Sequence, residues 1–231
     1  MQAGRVLVAQ RLIVGTAGNL SCKLDCERVL CTPSGVAKNN LTAEMFLTLA
    51  RDGAIHASSR HAEGVRASSE SAMHLAIYDA FDGVDDALQS CDAIVHAHPV
   101  RATALATVGQ PLNLCVTAEG AATLGPVAII DYVRPGTRAL GALCARAVQQ
   151  GARTLLLRQH GAVTIGTSIE DALWRMSALE HVASIWCEEH ARGALDLLPD
   201  EEVMALRALA GTHTPGWGGT ARWFGVEDAS D

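Results

Sequence analysis

The chain is nearly devoid of lysine. Of its 231 residues only Lys23 and Lys38 are lysines, and the formal net charge is −7. Nucleic-acid binding needs clustered Lys and Arg on one face, so that class of partner is not expected. Aromatic residues are scarce at 4%, yet apolar residues reach 49%, enough to build a core without a disulfide or metal to hold it together. No apolar run approaches the ~20 residues a membrane helix needs. The short stretch Val6-Leu7-Val8-Ala9 is broken by Gln10 and Arg11 before any cleavage-like pattern. The seven cysteines include no C-x-x-C pair, and Cys91, Cys115, Cys144 and Cys187 stand in apolar surroundings, which reads as free thiols in a reducing cytoplasm. There is no G-x-G-x-x-G and no regular βαβ alternation, which sets aside a dinucleotide fold. With no repeat and no linker, residues 1–231 read as a single domain whose Gly-rich end, 212–231, is a tail.

Hydrophobic periodicity and turn residues place the elements. A helix is predicted over 1–13 and strands over 20–23, 29–31 and 45–49. Arg51-Asp52-Gly53 reads as a hairpin turn leading to a partner strand at 54–56. A helix over 69–81 carries Met73, Ile77 and Ala80 at helical spacing. A strand ends at His98, stopped by Pro99, and a helix follows over 101–108. Next come a strand at 112–116, a helix at 119–124 and a strand at 127–130. Pro135-Gly136-Thr137 opens a helix to Gln150 that Gly151 ends. Strands at 154–157 and 162–165 flank His160. A long helix over 168–190 is opened by Ser168 with Asp171 three residues on, and a last helix spans 200–210.

The chemistry concentrates in a few places. His96-Ala97-His98 closes the apolar run Ala93-Ile94-Val95, and side chains two apart on a strand share a face. Two imidazoles then project together as neutral nitrogen ligands. His160, after the apolar run Thr154-Leu155-Leu156-Leu157, is a candidate third ligand, and three protein ligands with an open position suit a catalytic divalent metal. Glu70 follows two serines at a helix start, where the macrodipole alone favours an acid.

Gly18-Asn19-Leu20-Ser21, Thr32-Pro33-Ser34-Gly35, Ser68-Ser69-Glu70, His96-Ala97-His98-Pro99 and Gln159-His160-Gly161 together resemble the class II aldolase/adducin family, in its order and at compatible spacings from about Gly15 to His190. The resemblance implies an α/β fold of three layers, α/β/α, around a central, mostly antiparallel sheet. It implies a divalent metal held by His96, His98 and His160, with zinc the first choice for three histidines and Mn²⁺, Co²⁺ or Fe²⁺ fitting the same set. Glu70 matches the family's catalytic carboxylate. Asn19, Ser34, Gly35, Ser68 and Ser69 match its phosphate cradle, where hydroxyls, backbone N–H groups and a helix N-terminus suit an anion. The same cradle would also hold a carboxylate. Arg66, just ahead of the serines, would assist either anion or simply sit at the surface. A homotetramer with active sites at subunit interfaces is implied as well, so Trp217, Trp223 and Phe224 either complete a neighbour's pocket or pack the tail down.

The chain departs from the family's sugar-phosphate aldolases at their tyrosine proton donor. Ungapped alignment back from Tyr132, read as structural, puts Thr117 at that position, with Glu119 nearby as a candidate replacement. Ala67 replaces the proline usual before the two serines, and the first helix is short. Three functions follow as expectations. The first is a metal-dependent lyase cleaving a small sugar phosphate or related hydroxy-carbonyl compound through a metal-stabilised enediolate. The second is a metal-dependent decarboxylase of a small hydroxy- or aromatic carboxylate, which the loss of the tyrosine suits. The third is a non-catalytic, adducin-like assembly module, for which a complete ligand triad and Glu70 serve no purpose.

Overall fold

A computed structural model describes residues 1–57, 59–82, 91–108, 112–193, 195–212 and 222–224. Its eight strands are β1 (Asn19–Lys23), β2 (Arg28–Cys31), β3 (Leu47–Ala50), β4 (Ala93–Ala97), β5 (Val127–Ile130), β6 (Thr154–Leu157), β7 (Gly161–Gly166) and β8 (Arg222–Phe224). They form one sheet in the order β3-β2-β1-β4-β7-β6-β5-β8. Every pairing from β3 across to β6 is antiparallel, and only β5 pairs in parallel, with β6 and β8. The mostly antiparallel sheet expected from the sequence is what forms.

Helices cover both faces. On one lie α2 (Ser71–Ala80) and α5 (Arg138–Gln149), the most extensively packed helix pair. Their core includes Met73, Ile77, Ile94, Ile130, Leu140 and Leu155. The other face carries α1 (Gln2–Ala9), α3 (Val100–Ala106), α4 (Ala118–Leu124) and the long α6 (Ile169–Arg192), with α7 (Asp200–Leu209) packed on α4. There Leu7, Val95, Leu105, Ile129, Leu156, Met176 and Leu179 form a separate core. Residues of β4 alternate between the two cores, Val95 to one and Ile94 to the other, as the strand period requires. The ends of α6 follow from local chemistry: the Ser168 hydroxyl accepts from the Asp171 N–H, and Gly193 closes the helix in the left-handed region at φ 67°.

Three sequence expectations are corrected. Residues 112–116 are not a strand; the Asn113 side chain accepts from the Cys115 N–H at 2.9 Å and bends the backbone instead. The hairpin partner at 54–56 reduces to one bridge, Leu49 to Ile55, because the Asp52 carboxylate takes the Ala54 N–H. The tail, read as lacking any period, supplies β8, with Phe224 buried against the α2–α5 core. Trp217 lies outside the described residues.

Candidate metal centre

The centre forms where the start of β1, the end of β4, the start of α2 and the turn between β6 and β7 meet. β1 and β4 pair with Asn19 opposite His96, so the strand register alone sets these two residues side by side. His96 shares the α2-facing side with Ile94, and α2 begins directly after Glu70, its N-cap residue. His98 lies one residue beyond β4, held by its N–H to the Leu12 carbonyl at 2.9 Å. His160 ends the tight turn between β6 and β7, where Gln159 adopts a left-handed φ of 51°. Left-handed backbone at a non-glycine residue is uncommon and clusters at functional sites.

Two glycines make the close packing possible. A Cβ on Gly161 would sit 2.7 Å from His98 Cδ2 and closer still to the Ala97 carbonyl; one on Gly18 would sit 2.7 Å from the His96 carbonyl. Position 18 also has a φ of +72°, which only glycine adopts freely.

The three imidazoles converge, each offering a nitrogen with all three within 4.8 Å of one another. His96 Nδ1 donates to the Ala162 carbonyl at 2.9 Å, which leaves its Nε2 lone pair free. That Nε2 lies 3.0 Å from His98 Nε2 and 3.2 Å from Glu70 Oε2, while Glu70 Oε1 is 3.0 Å from His160 Nε2. Three imidazole nitrogens turned toward one another with a carboxylate alongside suit a divalent cation, and the donor set therefore fits the metal that the resemblance implied.

Burial would raise the Glu70 carboxyl, but the adjoining His160 and His96 outweigh it and hold the group well below the usual carboxylate range. Burial, followed by the neighbouring His96 and His160, pushes His98 down to about 4. His74, one turn along α2 and fully buried, is pushed down to about 3, chiefly by burial. Its neutral form is thus built into the fold. Unfolding exposes a group that takes up a proton below about pH 6.5, so stability is complete above that value and falls as the pH drops toward 3. Below its ordinary pKa, protonation of Glu70 acts in the same direction. Chemical denaturation should show lower stability at pH 5 than at pH 7.5, with a limiting slope of about 1.4 kcal/mol per pH unit for the His74 proton.

The remaining sequence candidates fall into two groups. A bridge between Pro33 and Ala67, with the Ser34 N–H donating to the Arg66 carbonyl at 2.8 Å, brings the Ser34-Gly35 turn against the Ser68-Ser69 segment. Ser68 Oγ accepts from the Glu70 N–H, and a Cβ on Gly136 would meet the Ser69 carbonyl at 3.3 Å, so a third turn borders the same spot. Asn19 differs: its Nδ2 donates to Glu70 Oε2 at 2.9 Å, next to the three histidines. Thr117 caps α4, its hydroxyl accepting from the Gly120 N–H, and Glu119 occupies that helix's first turn. Both border a groove of about 590 Å³ beside Trp174 and His181, across the sheet from Glu70, so neither serves Glu70 of its own chain. Tyr132, read as structural, is 56% exposed rather than packed in the core.

Sequence reasoning passed over Glu180, whose carboxylate accepts the N–H groups of Arg101 and Ala102 at 2.9–3.1 Å. These open the helix that follows His98-Pro99, so α6 anchors the chain leaving His96 and His98.

Residues 1–187 match the model of the class II aldolase and adducin N-terminal domain. The chain belongs to that family, and within it to the divalent-metal-dependent lyases. It is 31% identical over 190 residues to 3-oxo-tetronate 4-phosphate decarboxylase of Haemophilus influenzae, covering 80% of this chain and 84% of the relative. It is 29% identical over 181 residues to L-fuculose phosphate aldolase of Methanococcus maripaludis, covering 78% and 90%. Among solved structures, L-fuculose-1-phosphate aldolase from Thermus thermophilus superposes with a TM-score of 0.69 at 32% identity over 85% of this chain and 95% of that one. YgbL from Klebsiella pneumoniae superposes with a TM-score of 0.76 at 27% identity, covering 89% and 94%.

Proposed function

We propose that the chain is a zinc-dependent aldolase cleaving a carbon–carbon bond in a small sugar phosphate or related hydroxy-carbonyl compound, working as a cytoplasmic homotetramer. The observation that carries this reading is the Glu70 carboxylate, at 3.0 and 3.2 Å from two of three convergent imidazoles. His96, His98 and His160 would hold the cation, which supplies Lewis acidity toward oxygens that gain negative charge. Ser34, Gly35, Ser68 and Ser69 bind the phosphate through hydroxyls and backbone N–H groups. Glu70 stands on the side of the ligands nearer that cradle and moves the proton. Taking it from the hydroxyl beside the scissile bond lets that carbon leave as an aldehyde, while the bonding electrons pass to the ketone as an enediolate. Reprotonation at carbon completes the reaction.

A second reading is decarboxylation, in which the same electron acceptor receives the pair left by CO₂. Thr117, standing where the family's aldolases carry tyrosine, favours it, as does the likeness to a decarboxylase. One assay separates the two: zinc-reconstituted protein incubated with L-fuculose 1-phosphate and, separately, with 3-oxo-tetronate 4-phosphate. Aldehyde with dihydroxyacetone phosphate is expected from the first. Release of CO₂ from the second without aldehyde from the first selects decarboxylation, and no turnover of related phosphates by metal-loaded protein contradicts both.

A further inference from the structure

Glu70 at the N-cap of α2, with His74 and Tyr78 on the helix itself, forms one file, each residue a turn from the next. The file faces Asn19 and Ser21, which share one side of β1. All five residues are at most 9% exposed. Ser21 Oγ lies 2.6 Å from His74 Nδ1 and 2.9 Å from Tyr78 Oη.

Counting hydrogens sets the direction of this chain. Burial raises the Tyr78 phenol well above its ordinary range, so it keeps its hydrogen. Ser21 is its hydrogen-bond partner among the described residues, and donating there uses that hydrogen. Ser21 then spends its own on His74 Nδ1. The neutral imidazole therefore carries its hydrogen on Nε2, a buried atom with no partner among the described residues. Asn19 Nδ2 already donates to Glu70, which leaves Asn19 Oδ1 a buried acceptor in the same position. An unmet donor on α2 and an unmet acceptor on β1 thus stand beside Glu70. Leaving such groups unpaired is costly, and buried water is the usual partner for them.

We propose that Ser21, His74 and Tyr78 are positioning residues for Glu70, and that one buried water, accepting from His74 Nε2–H and donating to Asn19 Oδ1, closes the network. Apolar side chains would pack α2 on β1 without burying polar atoms. Directional bonds through Ser21 do what packing does not: they fix the axial setting of α2, and with it the aim of the Glu70 carboxylate. The inference rests on reading Glu70 as the working group beside a bound metal, and the tests are chosen to separate the two.

A high-resolution crystal structure should show a water within hydrogen-bond reach of both orphan atoms; a dry gap, or Asn19 Oδ1 bonded to protein, overturns the bridge. Positioning is read from the visible spectrum of the Co²⁺-loaded protein. Glu70→Gln should shift the cobalt bands. Ser21→Ala should shift them in the same direction with cobalt stoichiometry retained, and Ser21→Thr, which keeps the hydroxyl, should restore the native spectrum. Tyr78→Phe keeps the ring's shape and should give a smaller shift, which guards against a Ser21→Ala variant that fails to fold. Native spectra for Ser21→Ala and Tyr78→Phe beside a shifted Glu70→Gln overturn the positioning role alone. No cobalt uptake, or a native spectrum for Glu70→Gln, overturns the reading of Glu70 and this inference with it.

Discussion

Glu70→Gln in the metal-loaded protein should lower turnover by about 10²–10⁴-fold, the range typical for removing a general acid–base, while metal content stays at the native level. Glutamine keeps the shape of the side chain and an oxygen to accept from Asn19 Nδ2, now 2.9 Å from Glu70 Oε2. What it loses is the charge and the capacity to carry a proton. His96, His98 and His160 are untouched, so the metal should remain. The turns proposed to bind phosphate, joined at the Pro33–Ala67 bridge, would act through hydroxyls and backbone N–H groups that the substitution leaves in place, so KM should change far less than kcat. Steady-state kinetics with parallel metal analysis checks both halves. Native turnover in this variant would place the proton-moving group elsewhere.

Gly161→Ala should have the next largest effect. The added Cβ would meet the Ala97 carbonyl and lie 2.7 Å from His98 Cδ2. Both neighbours are held: Ala97 is fully buried within β4, and the His98 backbone is tied to Leu12. Overpacking of this kind typically costs about 1–3 kcal/mol. The least constrained response is rotation of the His98 ring away from His96, which removes a ligand. Zinc affinity should therefore fall more than stability does, by at least about tenfold, the lower end for disturbing the surroundings of a ligand. Competition with a chromophoric chelator and a thermal melt, run side by side, measure the two effects. A stable variant with native affinity would show that the contact is relieved elsewhere.

Much of this centre is legible in the amino-acid sequence because its parts are local. His96 and His98 sit two apart after an apolar strand, His160 sits in a short turn after another, and Glu70 opens a helix behind two serines. Strand register then does the assembly, setting Asn19 opposite His96. The Glu70, His74, Tyr78 file was also legible in principle, since i, i+4, i+8 spacing puts three polar groups on one helix face. Its meaning depends on Ser21, some fifty residues away in the chain and adjacent only once α2 lies on β1. Glu180 capping Arg101 and Ala102 across 79 residues left no local signal at all. Leu112, Leu114 and Val116 alternate as a strand does, but the Asn113 side chain captures a backbone N–H and the alternation is spent on burial in a loop. The strand β8 is three residues long in a Gly-rich stretch, and only its pairing with β5 defines it.

In the proposed function three imidazoles hold a divalent cation beside Glu70. Metal analysis of the purified, zinc-reconstituted protein beside a His96→Ala, His98→Ala double variant tests it most directly. About one ion per chain in the native protein, lost in a variant that keeps its circular dichroism, is the expected result, one site per ligand triad. A folded native protein that takes up neither zinc nor manganese, or a double variant that still binds one ion per chain, would contradict it.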